Sequence, residues 1–331
     1  MRIPGRGVVV RGLNMFKKML GGGIVLLYHR VAEVVPDPQL LCVSPKHFAQ
    51  HLEVLSRRCR PVPLDEMLAR AREGRSLRGL VAVTFDDGYA DNLYNAKPLL
   101  ERHAVPATVF VTVEHLRTGR EFWWDELEHL FLRDGKAVAW RAGDSLGSPD
   151  VNRRTGELEG MRSERIYRTV YRRLRDLSPG RRRVILDRLW RATGRAPVGT
   201  EECGCAEHRP LTVEELRQLV DGGLVRVGAH TLNHPILAKL PPEEQEYEIM
   251  QSKAELEETV GVPVDGFAYP YGSQGDYAQV TVELVRRAGF AWACANRPGR
   301  VRRRTDPYQV PRFLVRDWDG EEFERRLAGF V

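Results

Sequence analysis

Three short polar clusters in this chain hold residue types that can do chemistry together. The first is Thr84-Phe85-Asp86-Asp87-Gly88-Tyr89. Two adjacent carboxylates at the end of an apolar run are costly to bury unless a cation or a proton relieves their repulsion. Gly88 lets the backbone turn, so both side chains can face one pocket; the plain alternative is an ordinary Asp-Gly turn capping the next helix. The second is His230-Thr231-Leu232-Asn233-His234-Pro235. Two histidines four apart can converge on one metal, and Pro235 argues for a tight turn over a helix face; the alternative is a pair of surface histidines. The third, Tyr269-Pro270-Tyr271-Gly272, runs a strand into a turn that can aim backbone N–H groups and an aromatic wall at a ligand.

The elements that must position these clusters alternate between strand and helix. Apolar runs at Ile24–Tyr28, Leu80–Phe85, Ala107–Val113, Leu224–Ala229, Gly266–Tyr269, Phe290–Cys294 and Val310–Val315 read as buried strands. Helical patterns fall between them, with Ser44-Pro45 opening one, Thr212 and Glu215 forming a capping box, and Gly261 closing a long helix that starts near Pro242. Repeated β–α units of this size make a parallel sheet, and all three clusters lie just past strand C-terminal ends, where such folds keep their active sites. The rhythm breaks from about residue 117 to residue 210, which reads as a helical insertion (Trp123–Leu132, Ser163–Leu177, Arg181–Ala192) around a Gly/Ser/Asp-rich stretch at Ala142–Pro149. The expected organisation is an N-terminal extension at 1–22, a first barrel segment at 23–116, the insertion at 117–210 and a second barrel segment at 211–331.

Together the clusters resemble the polysaccharide deacetylase family, the chitooligosaccharide-deacetylase-like carbohydrate esterases, whose signatures are T-F-D-D-G, H-[ST]-x-x-H-P and a strand ending in Pro-Tyr/Phe-Gly. The resemblance covers roughly Gly23–Val113 and Leu211–Val315. It implies an α/β fold, a distorted (β/α)7-type barrel carrying the helical, Arg-rich insertion. It also implies a divalent metal, zinc first with cobalt, nickel or manganese as alternatives, held by Asp87, His230 and His234. Asp86 is then the catalytic base, the Tyr271 N–H an oxyanion donor, and the substrate an N-acetylated glycan. The chemistry agrees: one carboxylate and two histidines leave open positions for water and a carbonyl.

Two positions depart from the family pattern. An arginine usually precedes the Pro-aromatic pair by two residues, and here Ala268 stands there; Arg312, in Val310-Pro311-Arg312-Phe313, is the expected substitute that steadies Asp86. The usual late histidine is also missing, since no histidine follows His234. Amide hydrolysis needs an acid to protonate the departing amine. His29, ending the first strand, is the candidate: in a closed barrel the first strand lies beside the last, and a subset of the family acting on poly-N-acetylglucosamine is similar in carrying an early Tyr-His motif. His47, His51, His103 and His129 fall on expected surface helices, and His115 and His208 in or beside the insertion.

Composition bounds the rest. With 331 residues, 42% of them hydrophobic, the chain can build a sizeable core, and no window approaches the apolar length of a membrane span. Five cysteines, an odd number without framework spacing, favour a reducing compartment, so a cytoplasmic location is expected. Cys203-Gly-Cys205 with His208 reads as a reduced loop pair more readily than as a zinc site. The net charge of +6 is uneven: residues 141–200 hold 15 Arg and no Lys against 7 acidic residues. Such a patch is either a solvated helical face or an attraction for anions. An anionic or lipid-linked glycan and peripheral contact with the inner membrane face are therefore expected as partners, and nucleic acid is not. Two rivals remain on sequence grounds: a barrel that binds metal and glycan with weakened catalysis, given Ala268, and a non-haem iron oxygenase, which shares the two-histidine, one-carboxylate set.

Overall fold

Seven main strands alternate with helices in one eight-stranded parallel sheet in the computed structural model, which describes residues 22–133, 163–193 and 206–330. The strands are β1 (Ile24–Tyr28), β2 (Leu80–Phe85), β3 (Ala107–Val111), β4 (Val225–Ala229), β5 (Gly266–Ala268), β6 (Trp292–Cys294) and β7 (Phe313–Leu314). Their order across the sheet is β7-β1-β2-β3-β4-β5-β6, all parallel. The first strand thus lies between the second and the last, as the barrel reading requires. The sheet curls into a half-barrel, and the segment ahead of β7 reaches back to β6 through a Cys294–Val310 bridge. The eighth strand, the two-residue Arg60–Pro61, pairs with the start of β2, and Arg30–Val31 and Cys42–Val43 form a separate two-stranded sheet.

Near-continuous apolar strands are what a sheet covered on both faces demands. Every residue of β1, β2 and β3 is buried. One face packs under α1 (Pro45–Arg58), α3 (Lys97–His103), α8 (Val213–Val220), α9 (Pro242–Val260), α10 (Gln279–Arg287) and α11 (Gly320–Gly329). The other fills the barrel interior with Val25, Ala82, Phe110, Ala268, Trp292 and Cys294, closed below by α2 (Leu64–Arg72). The remaining helices are α4 (Val113–Thr118), α5 (Trp123–Glu128), α6 (Ser163–Arg175) and α7 (Pro179–Thr193). No helix among the described residues is long and apolar enough to cross a membrane.

Several helix ends match their sequence signals. Ser44 caps α1, with Pro45 at its first position, and Thr212 and Glu215 close the capping box of α8. Others differ. The helix expected over Asn92–His103 opens with a π turn at Asn92–Ala96, and the one expected over Trp123–Leu132 gives way to a π turn at His129–Arg133. The last strand is only Phe313–Leu314, because Pro311 has no N–H to extend the ladder toward Val310.

Within the insertion, α5, α6 and α7 share an apolar cluster that includes Trp123, Trp124, Tyr167, Trp190 and one barrel residue, Tyr89. Some of the arginines described there are held locally: Arg120 and Arg183 both bind Glu126 and Asp187, and buried Arg182 donates to the Leu174 and Leu177 carbonyls. His51 and His129 are not surface residues as their helical positions suggested. Both are buried, His51 bonding the Trp318 carbonyl and His129 lying 3.0 Å from Glu121. Residues 1–21, the Ala142–Pro149 stretch, both ends of the 141–200 basic window, Cys203 and Cys205 lie outside the described residues.

Candidate active site

The clusters meet because parallel strands deliver their ends to one rim. The Asp86 N–H donates to the Tyr28 carbonyl at 3.0 Å, which sets Asp86 beside His29 at the exits of β2 and β1. The His230 N–H donates to the Val111 carbonyl at the exits of β4 and β3. His29, Asp86, Asp87, His230, His234 and Tyr271 line one cavity of about 220 Å³. Asp86, Asp87, His230 and His234 are buried, while His29 and Tyr271 are partly exposed.

Backbone geometry at this rim is unusual. Asp87, Thr231, His234 and Tyr271 all adopt positive φ, at 76°, 65°, 53° and 60°, outside the range that side chains favour. Such strain persists only where surrounding contacts over-determine it. For the histidine turn those contacts are clear: the Glu248 carboxylate of α9 accepts from the Leu232 and Asn233 N–H groups and from Asn233 Nδ2, and Thr231 Oγ1 accepts from the His234 N–H. At the third cluster Gly272 is required, because a Cβ there would lie 2.7 Å from the Asn296 nitrogen.

Asp87, His230 and His234 form a buried triad whose ligand atoms lie within 4.8 Å of one another. Asp87 Oδ1 is 3.7 Å from His230 Nε2 and 3.4 Å from His234 Nε2. His230 Nδ1 lies 2.7 Å from the Ala268 carbonyl, and only its protonated form can make that bond, so Nε2 carries the lone pair that faces Asp87. Burial keeps both imidazoles neutral, at about 4 for His230 and about 3 for His234. It also pushes the Asp87 carboxyl up to about 6. Neutral imidazoles converging on a buried carboxylate without a cationic partner fit a divalent ion.

Asp86 is held differently. Arg312 donates to both its oxygens, at 2.7 and 2.8 Å, and also to Thr84 Oγ1 and the Ala295 carbonyl. Burial disfavours the Asp86 anion, but Arg312 outweighs it and holds the pKa below the usual carboxylate range. Arg312 therefore supplies the guanidinium that Ala268 cannot, while the Ala268 carbonyl fixes the His230 tautomer. His29 is pushed down by burial against the pull of Asp87 and Asp86. The Tyr271 ring meets His234 edge-on at 4.7 Å.

Trp123 and Trp124, ahead of Asp125, stand out in the sequence as either sugar-stacking residues at the barrel mouth or anchors of the inserted helix; other pocket residues carry no sequence signal. Trp124 of α5 lies 4.9 Å from the His234 ring and donates from Nε1 to Tyr89 Oη, which donates in turn to Asp125. The indoles thus anchor the insertion to the catalytic turn: Trp124 forms one pocket wall and Trp123 packs on Tyr171. Arg175 and Arg316 also line the cavity. His208 joins a second buried group with Asp125 and Glu128. Arg30 and Arg133 contact both its ring nitrogens, which makes that group a polar tie between insertion and barrel.

A polysaccharide deacetylase family model matches residues 74–139 and 195–293, segments that hold Asp86, Asp87, His230, His234 and Tyr271 but neither His29 nor Arg312. A curated Bacillus subtilis (strain 168) relative named "Putative polysaccharide deacetylase YxkH" is 29% identical over 89 residues, 26% of this chain and 30% of that protein. The match therefore spans less than a third of the curated relative. Among solved structures, the Streptococcus pyogenes deacetylase PplD in complex with acetate has a TM-score of 0.60 at 16% identity, covering 93% of this chain and 99% of that one. IcaB from Ammonifex degensii has a TM-score of 0.58 at 22% identity, covering 94% and 97%. At these identities the likeness is one of fold.

Proposed function

This chain belongs to the polysaccharide deacetylase family, and on that premise we propose that it removes N-acetyl groups from the amino sugars of a polysaccharide or glycan intermediate by metal-dependent hydrolysis. The observation that carries the reading is the convergence of a 1-carboxylate, 2-histidine triad with a separate, Arg-paired carboxylate in one cavity of about 220 Å³. Asp87, His230 and His234 are the residues that would hold the ion. A bound divalent metal, zinc first among the candidates, lowers the pKa of water and polarises the amide carbonyl.

The chain's own groups do the rest. Asp86 accepts the proton of the attacking water at a carboxylate oxygen, and Arg312 keeps that carboxylate ionised and fixed in orientation. The Tyr271 N–H, which no carbonyl accepts among the described residues, donates to the oxyanion as the carbonyl carbon becomes tetrahedral. His29, on the neighbouring strand exit, gives its proton to the departing amine nitrogen, so that a neutral amine leaves in place of an amide anion. Trp124 and Leu41 wall the pocket against bulk water.

The test is incubation of metal-loaded protein with a panel of N-acetylated glycans, scored by mass for loss of acetyl groups and by assay for free acetate. Oxygen consumption without acetate release would replace this reading with oxygenase chemistry. Binding of metal and glycan without release would leave a binding protein.

A further inference from the structure

Two arginines, Arg175 and Arg316, line the pocket and a third, Arg312, lies buried behind it, and they are not equivalent. Arg312 is neutralised by Asp86. Arg175 reaches Asp276 at 2.6 Å and lies over the Tyr271 ring. Arg316, two residues past β7, has no carboxylate within ion-pair distance among the described residues. Its Nη1 donates to the Gln39 carbonyl at 3.2 Å and to the Leu40 carbonyl, and no bond is made by Nε or Nη2 among the described residues. The side chain is partly buried, and its charge is felt at His29.

The balance of charge at the rim follows. Asp86 cancels Arg312, and Asp276 cancels Arg175. What faces the cavity is the Asp87 carboxylate, which the proposed divalent ion more than neutralises, and the unpaired Arg316. A partly desolvated guanidinium without a counter-anion is costly, and burial lowers its pKa against the weak opposing pull of Asp37. Nη1 serves the loop, so the Nε and Nη2 edge is what remains for a ligand. That edge is a planar fork, the geometry that binds carboxylate or phosphate with two parallel hydrogen bonds.

We propose that Arg316 is a specificity-determining residue that binds an anionic group, a carboxylate or a phosphate, carried by the glycan beside the N-acetyl group that is removed. The inference rests on the reading of this cavity as the deacetylation site. It selects among N-acetylated glycans: those with a uronate or a phosphate next to the reacting amino sugar bind through both the metal site and Arg316, and neutral ones through the first alone. Because the contact is made equally before and during reaction, it acts on KM and leaves kcat unchanged.

The experiment compares three probes: chitotetraose (neutral), a hyaluronan tetrasaccharide (carboxylate on the adjacent sugar) and uridine diphosphate N-acetylglucosamine (diphosphate on the same sugar). Acetate release is measured for the wild-type protein, Arg316→Gln and Arg316→Lys. The expected result is a KM for at least one anionic probe about tenfold or more below that for chitotetraose, the contribution of one charge-assisted pair. Arg316→Gln should bring the ratio of the chitotetraose KM to the anionic-probe KM to about one, and Arg316→Lys should retain part of it. Which anionic probe gains identifies carboxylate or phosphate as the source. Equal KM values for all three probes, or an Arg316→Gln loss that falls equally on chitotetraose, would overturn the inference. Equilibrium binding of the same probes to metal-loaded Asp86→Asn protein, with and without Arg316→Gln, reads the contact without turnover. If no probe releases acetate yet this binding difference persists, the deacetylase reading fails and the anion site stands; if acetate is released without any difference, the reverse holds.

Discussion

Arg312 closes a two-pronged ion pair on Asp86 from the far end of the chain, with Nη1 2.7 Å from Oδ1 and Nη2 2.8 Å from Oδ2 across 226 positions of sequence. Both partners are buried. Removing one partner of such a pair strands the other charge out of water. Arg312→Ala should therefore lower stability by about 3–5 kcal/mol, read as a fall in the denaturant midpoint. It should also move the acid limb of the pH–rate profile upward. With Arg312 present Asp86 stays ionised to low pH; without it burial dominates, the pKa rises, and the base is protonated at pH values where the wild type still turns over. Arg312→Lys should recover part of the rate, since one charge remains but the fork is lost. An unchanged acid limb would remove Arg312 from the account of the base.

His29 shares the catalytic cavity with Asp86 from the neighbouring strand exit. Replacement by Ala or Gln should leave metal binding intact, since His29 is outside the ligand triad, and lower kcat on N-acetyl amides by roughly 10²–10⁴. Acetyl esters whose leaving group needs no proton should be spared. Full amidase activity in either variant would move the proton donor elsewhere.

Metal affinity should fall with acid in a defined window. Both imidazoles are already neutral above about 4, and the Asp87 carboxyl takes its proton near 6 in the metal-free protein. A proton and a cation compete for that carboxylate, so affinity should be flat above pH 6 and drop about tenfold per unit below it. Competition titration against a coloured chelator from pH 5 to pH 8 measures this. Asp87→Ala, His230→Ala and His234→Ala should each abolish tight binding, whereas Asp86→Asn should keep it. Loss of metal from the Asp86 variant with retention in the Asp87 variant would reverse the two aspartates.

One buried hydroxyl ties the insertion to the barrel beside the metal site. Tyr89 Oη accepts from Trp124 Nε1 at 2.8 Å and donates to Asp125 at 2.7 Å. Tyr89→Phe strands both buried partners and should cost about 1–3 kcal/mol in stability. Because Trp124 packs against His234, it should also weaken metal binding measurably. A stability loss with unchanged metal affinity would limit the insertion to a structural role.

How far these relationships could be read in advance depends on whether they are made along a strand or across the fold. Asp86, Asp87, His230, His234 and Tyr271 sit at strand exits, and parallel pairing alone delivers them to one rim. His29 was legible for the same reason, since β1 lies between β2 and β7, whereas Arg312 stands just ahead of β7 and reaches Asp86 by the length of its side chain. Glu248, Tyr89, Arg175 and Arg316 were not. Their roles arise when α5, α6 and α9 dock, and nothing in their local spacing distinguishes them from residues of an amphipathic helix or a loop. His51 and His129 misled for a related reason: a histidine among polar helix positions reads as exposed until the element covering it is placed.

The central claim is that Asp86 turns over an amide that the Asp87, His230 and His234 site holds in place. The direct measurement is acetate release from N-acetylglucosamine oligomers by the wild-type protein and by Asp86→Asn, both reloaded to equal, verified metal occupancy. The account predicts acetate from the wild type, none after chelation, recovery on re-addition of metal, and a loss of several orders of magnitude in Asp86→Asn at full occupancy. Equal rates for the two proteins at equal occupancy, or acetate release that survives removal of the metal, would contradict it.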